Sequence, residues 1–117
     1  MRYFLISFDS NGLECLQDIT EYHPDNWDKN QLMGIMMGKK YMKAPIHKQI
    51  GQMIMRAKFN PQRNYEVYIQ QTDDGITAGE FAAVFNANPQ HWADWVREYH
   101  SVKLYSDRVP KGSRVIE

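Results

Sequence analysis

A chain of 117 residues with 43% hydrophobic and 24% charged residues has room for one domain and one modest core, and is too apolar to be disordered. A single cysteine excludes an internal disulfide, no apolar run approaches a membrane span, and nothing reads as a secretory signal, so a reducing cytoplasm and no membrane partner are expected. The 14 basic and 14 acidic residues cancel, but they are segregated, and that segregation is the most informative feature of the chain.

Between Lys29 and Tyr65 there is no aspartate or glutamate, while Lys29, Lys39, Lys40, Lys43, Lys48, Arg56, Lys58 and Arg63 supply eight cations. Residues 1–28 carry one base, Arg2, against six acids, and residues 66–98 again carry one, Arg97, against six. A polarised surface of this kind attracts a polyanion or an acidic partner.

In chain order, Tyr3 to Phe8 is aromatic and apolar, as a largely buried strand would be. Asp9-Ser10-Asn11-Gly12 supplies the turn of a hairpin. A two-residue Asn11-Gly12 loop would set Asp9 opposite Glu14, so a four-residue loop that pairs Phe8 with Leu13 and Ile6 with Cys15 is preferred. A helix over residues 13–22 is the competing reading. Pro24-Asp25-Asn26 ends this unit and starts a helix, with Asp25 or Asn26 as its cap and Trp27, Leu32, Ile35 and Met36 toward the core. Gly38-Lys39-Lys40 terminates it.

Pro45 suits a first helical position, and Ile46, Ile50, Met53, Ile54 and Ala57 follow at i, i+4, i+7, i+8 and i+11, one apolar stripe of a helix that Phe59-Asn60-Pro61 stops. Residues 65–71 alternate, with Tyr65, Val67 and Ile69 on one side and Glu66, Tyr68 and Gln70 on the other, which predicts a strand closed by Asp73-Asp74-Gly75. Thr77-Ala78-Gly79-Glu80 has capping-box spacing ahead of Phe81, Ala82, Val84 and Phe85. Asn88-Pro89 restarts a helix whose apolar face is Trp92, Trp95, Val96 and Tyr99, and Val102 and Leu104 mark a last strand. The order strand, strand, helix, helix, strand, helix, helix, strand predicts an α+β domain over residues 1–109. Its expected form is a mixed four-stranded sheet with the last two strands parallel and helices mainly on one face, and residues 110–117 form a loose tail.

Catalytic and metal-binding patterns are thin. No paired-cysteine spacing, HExxH, phosphate loop or nucleophile elbow is present, and no cofactor is expected. His91, Asp94 and Glu98 share a helical face opposite the aromatic one, which a plain solvated face explains as well as a metal site does. His23 lacks a partner in sequence, Asp73-Asp74-Gly75 reads as a turn, and Cys15 reads as a small packed residue. The stronger lead is the basic block. Lys39, Lys40, Tyr41, Lys43, Lys48, Arg56, Lys58 and Arg63, with Phe59 and Tyr65 among them, combine cations for phosphates with rings for bases, the pairing single-strand binders use.

Two stretches add a resemblance. Met55-Arg56-Ala57-Lys58-Phe59-Asn60-Pro61-Gln62-Arg63 leading into Tyr65-Glu66-Val67-Tyr68, and Lys103-Leu104-Tyr105-Ser106-Asp107-Arg108, resemble segments of small uncharacterised proteins of marine tailed bacteriophages. The resemblance implies a viral accessory or regulatory protein acting in a host cytoplasm, and supplies no functional residues. The expectation is therefore a non-enzymatic binding protein whose basic surface meets nucleic acid or an acidic protein. The alternatives are an interaction protein that forms a homodimer through apolar surface such as Leu32-Met33-Gly34-Ile35-Met36-Met37, and a small enzyme in which His23, His91 and Asp94 would be tested first.

Overall fold

Two strands of this chain are buried on both faces, and a strand of that kind is covered from both sides. They are β1 (Arg2–Asp9) and β3 (Glu66–Thr72), which lie side by side at the centre of a sheet ordered β2-β1-β3-β4, with β2 (Gly12–Asp18) and β4 (Ser101–Ser106) at its edges. The structure, a computed structural model, describes residues 1–36, 45–59, 64–73 and 75–106. The helices are α1 (Lys29–Met36), α2 (Pro45–Lys58), α3 (Ala78–Ala87) and α4 (Pro89–Glu98), and two single 3-10 turns, Thr20–Tyr22 and Pro24–Asn26, join β2 to α1. The α+β class, the four-stranded sheet and the order of elements follow the sequence reading. The expected tail lies outside the described residues.

The sheet is antiparallel throughout, not mixed. The reason is the helix pair between β3 and β4. Asn88 alone separates α3 from α4, so the chain runs out along one helix and back along the next, re-entering the sheet at the end it left. Gln70 is thus paired with Ser101, and the Gln71 amide donates to the His100 carbonyl at 2.9 Å. A crossover connection would have delivered a parallel strand; this helical hairpin returns an antiparallel one.

The helices also divide between both faces instead of gathering on one. Leu5, Val67, Ile69 and Leu104 pack with Ile35 of α1 and with Ile46, Ile50, Ile54 and Ala57 of α2. Ile6, Phe8 and Tyr68 pack with Phe81 and Phe85 of α3 and with Ala93 and Val96 of α4. Phe4 joins this second layer through Phe81, ring centroids 5.9 Å apart. Glu66 and Gln70, which their alternation with Val67 and Ile69 suggested were wet, lie beneath α4 and are buried. Glu66 is fully engaged there, held by an arginine. The Gln70 amide nitrogen donates to the Tyr99 carbonyl at 2.9 Å, whereas its Oε1 has no hydrogen-bond partner among the described residues.

Local signals set the register and the helix starts. Phe8 pairs with Leu13 as expected, but the loop is shorter and Glu14 is the extra residue of a bulge, so Cys15 faces Ser7 and Ile6 faces Leu16. Asp9 meets Gly12, so the like-charge pairing with Glu14 that a two-residue Asn11-Gly12 loop would impose does not arise. Residues 12–18 are strand, not helix. Thr77 caps α3 by accepting from the Glu80 amide at 3.1 Å, and Asn88 caps α4 by accepting from the His91 amide at 3.4 Å. The cap of α1 is neither Asp25 nor Asn26. Asp28 and Gln31 exchange bonds instead, side chain to amide in both directions at 2.8 and 3.0 Å, a reciprocal box that delays the helix until Lys29.

One ion pair ties the second helical layer to the sheet. Arg97 of α4 grips Glu66 of β3 with Nε to Oε1 at 3.0 Å and Nη2 to Oε2 at 2.6 Å, and reaches Asp94 through Nη1 at 2.7 Å. The Tyr68 hydroxyl donates to the same Glu66 oxygen at 3.0 Å, and the guanidinium lies 5.3 Å from the centre of the Phe8 ring. Removing the arginine alone would strand a buried carboxylate, whereas removing both charges would not. Arg97→Ala should therefore lose about 3 kcal/mol of unfolding free energy, and the double change Glu66→Met with Arg97→Leu should recover most of it, as read from urea denaturation midpoints.

Candidate nucleic-acid interface

The apolar stripe of α2 is buried as its spacing requires: Ile46, Ile50, Met53, Ile54 and Ala57 are core residues, and His47 and Gly51 widen the buried face. With that face fixed, helical geometry dictates the opposite one. Lys48, Gln52, Met55 and Phe59 recur at i, i+4, i+7 and i+11, and all four are exposed. The line they form is roughly 16 Å long at the rise of an α-helix. Arg56 and Lys58 are exposed on its two flanks. Phe59 sits one residue beyond the helix, but its amide still donates to the Met55 carbonyl at 3.3 Å, which keeps it on the stripe. Its ring is 83% exposed.

Of the eight residues the sequence nominated, Lys48, Arg56 and Lys58 are thus brought onto one outer helical face. Lys39, Lys40, Tyr41, Lys43 and Arg63 lie outside the described residues. The rings sort differently from expectation. Tyr65 is a core side chain, and burial pushes its hydroxyl up to about 12, with the neighbouring Glu14 carboxylate acting in the same direction. That hydroxyl donates to Glu14 at 2.9 Å, so Tyr65 presents no face to a base. Phe59 does. Its exposure was readable from its place one turn beyond Met55 on the side away from Ala57.

Three of the acids are held by the arginines of their own segments. Arg2, the one base of the first acidic segment, pairs with Asp18 at 2.6 Å, and Arg97, the one base of the second, pairs with Glu66 and Asp94. Thr20 hydrogen bonds, backed by Arg2, hold the Asp18 carboxyl below the usual aspartate range. Among the described residues, Lys48, Arg56 and Lys58 enter none of these pairs. Glu14 is brought toward α2, where β2 docks against the helix through a Gln49–Gln17 hydrogen bond of 2.6 Å. Arg56 and Glu14 both act electrostatically on Cys15, but burial is stronger and raises the thiol, leaving it protonated and packed.

The residues of the enzyme alternative are not assembled. His23 is exposed in the turn before α1, which packs with α2, whereas His91 and Asp94 belong to α4 on the opposite face. His91 sets its ring edge-on to Trp92, and Asp94 is engaged by Gln90 and Arg97. Among the described residues no three metal-ligating side chains gather. The buried Glu66 commits both oxygens to Arg97 and Tyr68, so it is no general base. No helix is long and apolar enough to cross a membrane among the described residues. Comparison with protein-family models, curated proteins and solved structures finds no match.

The inner flank of α2 carries one titratable group that matters for stability. His47 is 8% exposed, its ring stands edge-on to Trp27 at 4.6 Å, and its Nε2 has no hydrogen-bond partner among the described residues. Trp27 is itself pinned by its indole N–H, which donates to the Tyr22 carbonyl at 3.2 Å. Burial lowers the affinity of His47 for a proton, so the unfolded chain binds that proton more readily than the folded one. The stability it contributes is complete above the ordinary imidazole value of 6.5 and is lost as pH falls from there toward the lower folded value. The urea midpoint should accordingly fall between about pH 6.5 and pH 5 in the native chain, and fall less in His47→Leu.

Proposed function

We propose that the chain is a non-enzymatic nucleic-acid-binding protein that lays single strands along the outer face of α2. The observation that carries this reading is the coincidence, on one acid-free helical face, of Lys48, Arg56 and Lys58 with the exposed ring of Phe59. One exposed apolar side chain is commonplace. A ring at the end of a line of cations is different, because the cations neutralise phosphates while the ring stacks on a base of any identity. An acidic protein would meet the same charges but gain little from an isolated phenyl ring, so nucleic acid is the better occupant. The two segments that resemble proteins of tailed bacteriophages support placing this activity in a viral accessory or regulatory role in a host cytoplasm. The first of them, residues 55–68, includes Arg56, Lys58 and Phe59.

The reading is tested by fluorescence anisotropy with a labelled homopyrimidine strand, titrated at several salt concentrations. Three phosphate contacts on a single strand should give a log–log salt slope of about −2. Reversal of Lys48, Arg56 and Lys58 to glutamate should abolish binding without altering the circular dichroism spectrum. Phe59→Ala should weaken binding roughly tenfold with the salt slope unchanged. Absence of binding at low salt, or an undiminished affinity in the triple reversal, would falsify the proposal. Tighter binding to polyglutamate than to the strand, indifferent to Phe59→Ala, would transfer the surface to an acidic protein partner.

A further inference from the structure

The second helical layer contains a concavity that α2 and its cations do not reach. The buried seam of α4 is Ala93 and Val96, which leaves Trp92 and Trp95 on its shoulder, half-buried, where the sequence pattern placed them in the middle of the face. With Phe81 of α3 they line a pocket of about 410 Å³ at the end of the sheet where β3 finishes and β4 begins. Ile76 closes its apolar side, and Asp73 and His100 stand among its polar lining residues.

The rings are not stacked. Trp92 and Trp95 are 5.2 Å apart with planes inclined at 69°. Phe81 lies 5.8 Å from Trp92 at 58° and 6.3 Å from Trp95 at 53°. Three planes, each inclined by more than 50° to the other two, form a corner and not a slot. A flat aromatic ligand needs two parallel walls and finds none here. A compact, roughly spherical group fits a corner, and aromatic walls favour one that is positively charged, because the faces of the rings carry the negative lobes of their quadrupoles. Asp73 adds a carboxylate, and among the described residues Met1 and His100, but no lysine or arginine, also line the pocket.

The ammonium of a lysine would bring a tightly held hydration shell that this apolar corner cannot replace. A trimethylammonium group is weakly hydrated and presents methyl groups to the rings, so it keeps the charge and loses little on entering. We propose that this corner is a binding site for the quaternary ammonium group of a small molecule of the choline type. The site is separate from the α2 surface and rests on different residues.

The test is a titration of the intact chain with choline chloride at constant ionic strength, followed by tryptophan fluorescence. Dimethylbutanol, the neutral isostere in which a tert-butyl group replaces trimethylammonium, serves as the parallel probe. Choline should give a saturable change in the millimolar range, and the isostere should bind roughly tenfold more weakly. Asp73→Asn, at an exposed position, should weaken choline and leave the isostere unchanged. Trp95→Phe should retain partial binding, and Trp95→Leu should lose the preference for charge. No saturable response to choline, or equal affinity for the two probes, overturns the proposal. Phosphatidylcholine vesicles decide the source of the group: a chain that binds free choline and stays in the supernatant supports a small molecule. A chain that sediments with the vesicles while ignoring free choline overturns it in favour of a lipid surface.

Discussion

Glu66 is a charged residue at the start of a central strand, covered by a helix, and the second layer of this protein is built around the need to keep it there. A carboxylate removed from water costs several kcal/mol unless its oxygens are met by charged donors in good geometry. Arg97 meets both oxygens in the forked arrangement only a guanidinium provides, and Tyr68 from the same strand adds a third donor. The geometry constrains more than the charge. With its guanidinium clamped to β3 and lying over Phe8, Arg97 fixes the rotation of α4 about its axis. Ala93 and Val96 must then face the sheet, and the tryptophans must stand to one side. The aromatic corner is a consequence of where that arginine points.

The same pair bears on the opposite face. Arg97 is the one cation of an acidic segment, and it is spent inside that segment on Glu66 and Asp94; Arg2 is spent likewise on Asp18. Charge segregation along the sequence therefore survives folding to a useful degree. Had those acids been left without their own arginines, the lysines of α2 would have been the nearest counter-charges across a small domain. The structure spends its two isolated arginines on internal pairs and leaves the clustered cations of α2 facing outward.

Much of this fold was legible in the sequence, and the parts that were not share a cause. Caps at Thr77 and Asn88, the stripe of α2 and the Phe8–Leu13 pairing are all local, decided by residues within a few positions or directly across a turn. Their physics is contained in short windows. The placement of the helices on one face turned on which side of a strand is covered. Glu66 and Gln70 alternate with Val67 and Ile69 and so imitate a solvated face, because nothing within the strand reveals that an arginine 31 residues away will cover one of them. Once that face is read as wet, the helices must be crowded onto the other side. The antiparallel return of β4 was missed for a simpler reason: a helical hairpin and a single crossover differ by one reversal at Asn88, and the parity of reversals, not helix content, sets strand direction. At the candidate interface, the helical period separated Lys48 and Arg56 from the core correctly. It also set Phe59 on the outer stripe, but it could not reach Tyr65, which lies beyond the helix and likewise follows a basic residue within a few positions. Only the strand that begins beside Tyr65 decides that one ring is buried and the other is free.

A sheet covered on both faces gives two outer helical surfaces, and their electrostatics are opposed. The α2 side presents cations and one exposed ring, which favours anions that can also stack. The α4 side presents two half-buried tryptophans over the buried Phe81 ring, with the Asp73 carboxylate beside them. On the proposed reading, a strand bound along α2 gains nothing by continuing around the sheet, and a cationic ligand in the aromatic corner meets none of the α2 charges. Segregation of charge in the sequence would then become separation of ligands in the fold.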